Sequence, residues 1–261
     1  METNIRYGYM TPETSAVPIK MKTGQNISGY PIGIIYIEDV YYPMVPGNIV
    51  NGYTFPFPTR LKAVEGLDCQ NLFDAAQGVE EKVFQACKKL EQEGVRAISG
   101  ACGFFGNYQA SMAEKLDIPV ALSSLVQIPW IATLLKKDQK IGVLTAQKDS
   151  FTDQLLDSCG VTDELKKRLI VKDLGHEKEF SCITEGRGEF DNGVVKQEVV
   201  GKAMEILEED SNVGAILLEC SDMPPYAYAV QAATSLPVFD FTTLIRWLHS
   251  AVTQTPYYGF I

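Results

Sequence analysis

Two cysteines, Cys102 and Cys220, stand at the end of the same apolar pattern, which occurs twice in the chain. The first copy starts at Val95 and reads VRAISGAC, and the second starts at Val213 and reads VGAILLEC. Further identities at the same spacing join Tyr108 with Tyr226, Pro119 with Pro237 and Val120 with Val238. Because a positioned thiol can act as a general acid or base, two such thiols could take a proton from one face of a carbon and return it to the other.

The apolar runs that must position these cysteines are short and are bounded by Gly, Pro or charged residues. Such largely apolar, non-alternating runs are typical of buried strands in a parallel sheet covered on both faces. Helical spacing of apolar residues between the runs predicts helices at residues 74–92, with Gly94 as a stop, and at residues 195–209. The alternation of strands and helices predicts an α/β fold. The predicted strands are residues 32–37, 95–99, 119–122, 141–145, 213–218 and 237–239.

The repeat extends upstream, because the run IGII at residues 32–35 is similar to the run IGVL at residues 141–144. We therefore predict two pseudo-symmetric α/β lobes, each with a mostly parallel sheet flanked by helices. The predicted boundaries are an N-terminal extension at residues 1–30, a first lobe at 31–139 and a second lobe at 140–261. The last helix, at residues 242–252, is expected to pack back onto the first lobe. Residues 161–191 break the pattern, apart from a strand predicted at 169–171.

Composition restricts the class of function. The net charge is −10 and 46% of residues are hydrophobic, which favours a packed core and disfavours a nucleic-acid surface. A small anion is still compatible, because main-chain N–H groups bind anions locally. No apolar run is long enough to span a membrane, and residues 1–30 lack the pattern of a secretion signal. We therefore expect a cytoplasmic protein with reduced thiols, and without a C-x-x-C pair zinc is not indicated.

Both cysteines are predicted at the carboxyl ends of strands, where ligands collect in open α/β sheets. Each is followed by a short turn and a predicted helix, whose free N–H groups and dipole would favour a thiolate and bind a substrate carboxylate. The alternative is that both are buried structural cysteines, and the symmetry of the pair favours the chemical interpretation. A disulfide between them is disfavoured in a reducing compartment. The cysteines assigned to packing are Cys69, Cys87, Cys159 and Cys182.

The motifs around these cysteines resemble those of the aspartate/glutamate racemase superfamily, which includes hydantoin racemases and arylmalonate decarboxylases. The resemblance covers about residues 31–251. Its carriers are PGN at residues 46–48 with NG at 51–52, CGF at 102–104, ECSDMPPY at 219–226, and the segment 238–247.

The resemblance implies two lobes with the site in the cleft between them and chemistry that needs neither pyridoxal phosphate nor a metal. It implies that Cys102 and Cys220 are the acid/base pair, one removing the α-proton and the other donating to the opposite face. It also implies a small carboxylate substrate and, commonly, a homodimer. The implied substrate-binding residues are Asn48, Asn51, Gly103, Phe104, Ser221 and Asp222.

The sequence departs from the better-known members at both sites. They carry Cys-Asn-Thr where this chain has CGF at 102–104, and Cys-Thr followed by Glu or His where this chain has Ser221 and Asp222. The function predicted is a cofactor-independent racemase or epimerase of a small carboxylate, such as aspartate or glutamate. The alternatives are a decarboxylase or cis–trans isomerase of the same superfamily, and a non-catalytic small-molecule binding protein.

Other residues of suitable chemistry have weaker support. Acids at the end of the first strand are usually solvated, and a lone arginine is more often structural. The matched tyrosines equally suit packing, and neither histidine stands in a catalytic motif. No phosphate-binding or dinucleotide-binding glycine pattern is present. The candidates with this weaker support are Glu38, Asp39, Arg60, Tyr108, Tyr226, His176 and His249.

Overall fold

The structure, a computed structural model, describes residues 10, 18, 19, 21 and 23–261. Most of the N-terminal extension predicted at residues 1–30 lies outside the described residues. In the described part of the chain, eight strands form two sheets of four strands each. Every pairing between neighbouring strands is parallel. The predicted α/β class with two parallel sheets is therefore confirmed.

The two sheets have equivalent strand orders, β2-β1-β3-β4 and β6-β5-β7-β8. The strands that precede the two cysteines, β3 and β7, therefore occupy the same place in their sheets. The strands are β1 (Ile32–Asp39), β2 (Thr59–Asp68), β3 (Ala97–Gly100), β4 (Val120–Ala121), β5 (Lys140–Thr145), β6 (Leu169–Asp173), β7 (Val213–Leu218) and β8 (Val238–Phe239).

Strand β2 was not predicted from the sequence, whereas a strand was predicted where β6 lies. Both are edge strands of their sheets. The β2 sequence TRLKAVEGLD contains four charged residues and is only partly buried. An edge strand pairs on one side only, so it does not need the continuous apolar run that identifies a central strand.

Helices flank the two sheets. They are α1 (Cys69–Phe73), α2 (Val79–Glu93), α3 (Gln109–Lys115), α4 (Ile128–Leu134), α5 (Asp153–Ser158), α6 (Asp163–Lys166), α7 (Cys182–Glu185), α8 (Asn192–Glu209), α9 (Ala227–Thr234) and α10 (Phe241–Val252). Among the described helices, none is both long and apolar enough to cross a bilayer.

The observed ends of the two long helices follow from local chemistry. Helix α2 begins later than predicted because Gly78 precedes it with φ of 86°, and it ends at Gly94, whose φ is 91°. Helix α8 begins earlier than predicted because the Asp191 carboxylate accepts hydrogen bonds from the N–H groups of Gly193 and Val194. Caps therefore set boundaries that apolar spacing alone does not show.

The C-terminal helix α10 packs on the first sheet although it follows the second sheet in the chain. Its buried Phe241 and Ile245 belong to the same apolar cluster as Ile32 and Ile34 of β1. The helix starts at a capping box formed by Asp240 and Thr243. This crossing helix ties the second half of the chain to the core of the first.

Candidate active site

A small cavity lies between the two halves of the chain and is partly open to solvent. The first half contributes the end of β1, the loop that follows it, α1 and the turn after β3. The second half contributes Ala146, part of α7 and the segment after β7. Both Cys102 and Cys220 line the cavity.

The backbone around the two cysteines repeats closely. The N–H of Ala101 donates to Ile35 O at 2.8 Å, and the N–H of the equivalent Glu219 donates to Leu144 O at 2.8 Å. Each ladder therefore continues one residue beyond its strand and delivers the next residue, a cysteine, to the cavity. The carbonyl of each cysteine then accepts at 3.2 Å from the N–H three residues later, which closes the same tight turn.

Both thiols are free and nearly buried, with 8% of Cys102 and 5% of Cys220 exposed. Burial raises the pKa of the Cys102 thiol well above its ordinary value, and the neighbouring Glu219 carboxyl raises it further. Burial and then Asp222 raise the pKa of Cys220 in the same way. These pKa directions are opposite to the expectation that helix starts favour thiolates.

The short turns that follow the two cysteines explain why the pKa values of the thiols are not lowered. The elements that follow the cysteines are short 3₁₀ turns, Gly103–Tyr108 and Pro224–Tyr226, before α3 and α9 begin. Such turns have few aligned peptide dipoles, so the desolvation of the thiolate dominates. A thiolate at this site therefore needs a neighbouring group that accepts the proton.

The Asp222 carboxyl is such a neighbouring group for the Cys220 thiol. The Cys220 thiol donates to Asp222 Oδ2 at 3.5 Å, and the Tyr42 hydroxyl donates to the same oxygen at 3.1 Å. The Asn48 side-chain amide donates to the other oxygen. Burial raises the Asp222 pKa to about 6 although these donors act to lower it. Because its oxygens already accept protein donors, Asp222 is better placed to hold Cys220 than to bind substrate.

The structure brings most of the predicted substrate-binding residues to the cavity. Asn48 lines it, as do Phe104 and Ser221. The Ser221 hydroxyl donates to Ala101 O at 3.0 Å and so links the two halves.

Asn51 is not among the residues that line the cavity. Its side-chain Nδ2 donates to Met44 O at 2.8 Å, and its side-chain Oδ1 accepts from the Tyr53 N–H at 2.9 Å. Asn51 therefore closes its own loop, and this loop geometry was not evident from the sequence.

Glu219 is the lining residue that sequence reasoning missed. It is fully buried, and its Oε2 accepts from the Thr145 hydroxyl at 3.0 Å and the Ala146 N–H at 3.4 Å. No described residue forms a hydrogen bond with its Oε1. Burial raises the Glu219 pKa to about 7. The signal in the sequence is an acid at the end of an apolar strand, directly before a cysteine.

Gly103, a predicted site residue, makes room for this carboxyl. A Cβ atom at position 103 would lie 1.6 Å from Glu219 Oε1. We expect Gly103→Ala to lower the free energy of unfolding by about 1–3 kcal/mol, because the overlap forces the loop or the carboxyl to move. Thermal unfolding measures this change, and an unchanged midpoint would contradict it.

Gly201→Ala is the matched control for that substitution. Gly201 lies within α8, and a Cβ atom there meets no atom of another described element within 4 Å. Alanine is the better helix former, so we expect this variant to be stabilised by up to about 1 kcal/mol.

The remaining sequence candidates have other partners or lie at the surface. Arg60 forms an ion pair with Glu93 at 2.7 Å. The side chain of His176 is 84% exposed, and His249 stacks on Phe57 at 3.6 Å between ring centroids. None of these lines the cavity.

A third thiol, Cys69 at the start of α1, does line the cavity, although the sequence interpretation assigned it to packing. It is partly buried, and burial raises its pKa to about 11.

Known proteins similar to this chain fall into two groups, and no family model matches. The chain is 31% identical over 241 residues to dimethylsulfoniopropionate lyase 7 of Emiliania huxleyi strain CCMP1516, covering 88% of this chain and 70% of that protein. It is 29% identical over 238 residues to dimethylsulfoniopropionate lyase 3 of the same strain, covering 87% of this chain and 61% of that protein. The chain therefore spans about two thirds of the length of these relatives.

Solved structures share the fold. Unliganded arylmalonate decarboxylase matches with a TM-score of 0.54 at 16% identity, over 86% of this chain and 93% of that one. Allantoin racemase from Klebsiella pneumoniae matches with a TM-score of 0.58 at 16% identity, over 85% and 87% of the two chains. The two-lobed fold implied by the racemase resemblance is confirmed.

Proposed function

Because this chain belongs to the family of dimethylsulfoniopropionate lyases, we propose that it is a lyase that acts on a small carboxylate with a cationic leaving group, dimethylsulfoniopropionate itself being the first substrate to test. The relatives are named as lyases, whereas the sequence interpretation favoured an isomerase. Both activities begin with removal of a proton from the carbon beside a carboxylate. The predicted proton abstraction is therefore retained, and the two activities differ in the fate of the electron pair left on that carbon.

The proposed reaction is a β-elimination. A thiolate removes a proton from C2, the C2 electron pair forms the C2–C3 double bond, and the C3–S bond breaks with its electrons on sulfur. The products are dimethyl sulfide, acrylate and one proton. We propose that main-chain N–H groups in the turns after the two cysteines bind the carboxylate, where they would stabilise the charge that develops on it.

The charge of the cavity lining is the observation that supports this substrate best. Among the described residues of the lining, none is Lys, Arg or His, and two are the acids Glu219 and Asp222. Aspartate or glutamate would bring a second carboxylate with no cationic side chain to pair it. A sulfonium cation instead suits acids and aromatic faces, each face contributing ~0.5–2 kcal/mol. The aromatic lining residues are Tyr36, Tyr42, Phe73 and Phe104.

Incubation with dimethylsulfoniopropionate tests the proposal. We expect dimethyl sulfide in the headspace by gas chromatography and an equal amount of acrylate in solution. The heat-denatured protein is the control for spontaneous elimination. If folded protein releases no dimethyl sulfide above that control, the substrate assignment is wrong.

Racemisation or epimerisation of a small carboxylate is the second candidate. The observation that favours it is that two thiols, Cys102 and Cys220, line one cavity. A panel of single enantiomers in D₂O would then give both enantiomers with deuterium at the α-carbon. Release of carbon dioxide from a malonate would instead indicate a decarboxylase. Absence of every reaction, with ligand-dependent thermal stabilisation, would indicate a binding protein.

A further inference from the structure

We propose that Glu219 accepts the proton of the Cys102 thiol, so that each thiol in the pair Cys102 and Cys220 has a carboxyl of its own. The second pair, Cys220 with Asp222, is joined by a hydrogen bond. The role of the Cys102 thiolate as the base that removes the C2 proton rests on the proposed lyase function. The proton transfer itself concerns two protein groups and is testable without substrate.

The position of the carboxyl is the first support. Glu219 lines the same cavity as Cys102. Its Oε1 lies against the backbone of the residue that follows Cys102, because a Cβ atom on Gly103 would overlap that oxygen at 1.6 Å. Apart from burial, the Glu219 charge is the largest influence on the pKa of the Cys102 thiol. The carboxyl and the thiol are therefore close neighbours.

The free hydrogen-bonding capacity of Glu219 is the second support. Its Oε2 accepts hydrogen bonds from Thr145 and Ala146, whereas Oε1 is fully buried and has no hydrogen-bond partner in the described part of the chain. A buried carboxylate oxygen without a donor is costly, and a proton on it removes that cost. Asp222 lacks this capacity, because several donors already converge on it.

The titratable groups of the described cavity lining are acids, thiols and the hydroxyls of Tyr36 and Tyr42, and none is a cation. Asp222 is the charged group that acts on Glu219. The Cys102 thiol is influenced by Glu219, Cys69 and Asp222, and Cys159 is influenced by Glu219. These neighbours favour the protonated carboxyl and the neutral thiol. A cationic substrate entering the cavity would favour the thiolate instead.

The proton balance closes without any further reactant. The Cys102 S–H proton moves to Glu219 and leaves a thiolate. The thiolate takes the C2 proton, and the carbon–sulfur bond of the substrate breaks. The cycle then ends with both groups protonated, and Glu219 releases one proton to water, which is the proton that the overall elimination produces. Glu219 acts through Cys102 and is therefore a positioning residue.

Alkylation of Cys102 by iodoacetamide, followed by peptide mass spectrometry, tests the pairing. In the unmodified protein we expect the rate to rise about tenfold per pH unit below about pH 7 and to level off above it, because the pair must lose one proton before the thiolate form exists. We call this change of slope the break in the Cys102 profile. In Glu219→Gln we expect no break near pH 7. Glutamine still accepts hydrogen bonds from Thr145 and Ala146, so the fold should persist.

Asp222→Asn is the control, since it neutralises the other carboxyl and should leave a break in the Cys102 profile. A profile of the unmodified protein without a break, or no alkylation of Cys102 at any pH, would overturn the proposal. A break together with no release of dimethyl sulfide would leave the pair intact and reject the lyase assignment. Release of dimethyl sulfide by a protein whose Cys102 profile has no break would support the lyase assignment and reject the pairing of Cys102 with Glu219.

Discussion

Replacing Cys102 by serine is expected to lower the rate of dimethyl sulfide formation ~10²–10⁴-fold, the usual contribution of a positioned general base. A serine hydroxyl is a far weaker acid than a thiol, so Glu219 cannot generate its anion at neutral pH. Serine is close in size to cysteine and should preserve the tight turn at this position. The measurement is the initial rate of headspace dimethyl sulfide at saturating substrate.

Cys220→Ser separates elimination from racemisation. In elimination, dimethyl sulfide leaves without a proton, so one base is sufficient. In racemisation a second group must return a proton to the opposite face, so both thiols are essential. We expect Cys220→Ser to retain at least about tenfold more elimination activity than Cys102→Ser.

Cys87→Ala is the control for the loss of a thiol. Cys87 is fully buried on α2 and does not line the cavity. Its rate should match that of the unmodified protein. A Cys102→Ser variant with a rate similar to that of Cys87→Ala would remove Cys102 from the mechanism.

The two cysteines could be predicted from the sequence because the duplication, and the strand that each cysteine follows, can be identified from the order of residues alone. A matched residue after the same strand in each half must reach the same end of its sheet. Glu219 could not be predicted in the same way. The direction of its side chain depends on the hydrogen bond from the Glu219 N–H to Leu144 O, which extends the strand pairing. The room for its carboxyl depends on the absence of a side chain at Gly103, which is distant in the sequence.

Other differences have a similar origin. Asn51 stands next to a cavity-lining loop, but a turn directs its side chain back onto Met44. The thiol pKa directions were misjudged because a sequence shows that a helix follows but not how deeply the cysteine before it is buried. Patterns of residues thus predicted the sheets and the thiols, whereas burial and long-range proximity determined their electrostatics.

Glu219→Gln is expected to stabilise the protein at pH 8 while it impairs thiolate formation. The folded-state pKa of Glu219 is about 7, against an ordinary value of 4.5. Below about pH 4.5 both states hold the proton, and between about 4.5 and 7 only the folded state holds it. The folded state therefore loses stability as the pH rises through this window. Glutamine does not titrate and avoids that loss, which amounts to roughly 3 kcal/mol above pH 7.

Thermal unfolding as a function of pH measures this effect. The two proteins should have similar midpoints near pH 4.5 and diverge as the pH rises, by about 2–4 °C for each kcal/mol in a chain of this size. Asp222, whose pKa is about 6, is present in both proteins, so the difference between the curves reports Glu219 together with its coupling to Asp222.

Glu80→Gln is the matched control, because Glu80 is about half exposed and its pKa is lowered by Lys115 and Ser111. A lowered carboxyl pKa acts in the opposite sense, so this variant should gain no stability at pH 8. If Glu219→Gln were likewise no more stable at pH 8 than the unmodified protein, the buried carboxyl would not be a destabilising group. A gain in stability with a loss of the Cys102 thiolate would show that the protein retains a destabilising acid because its site requires a proton acceptor.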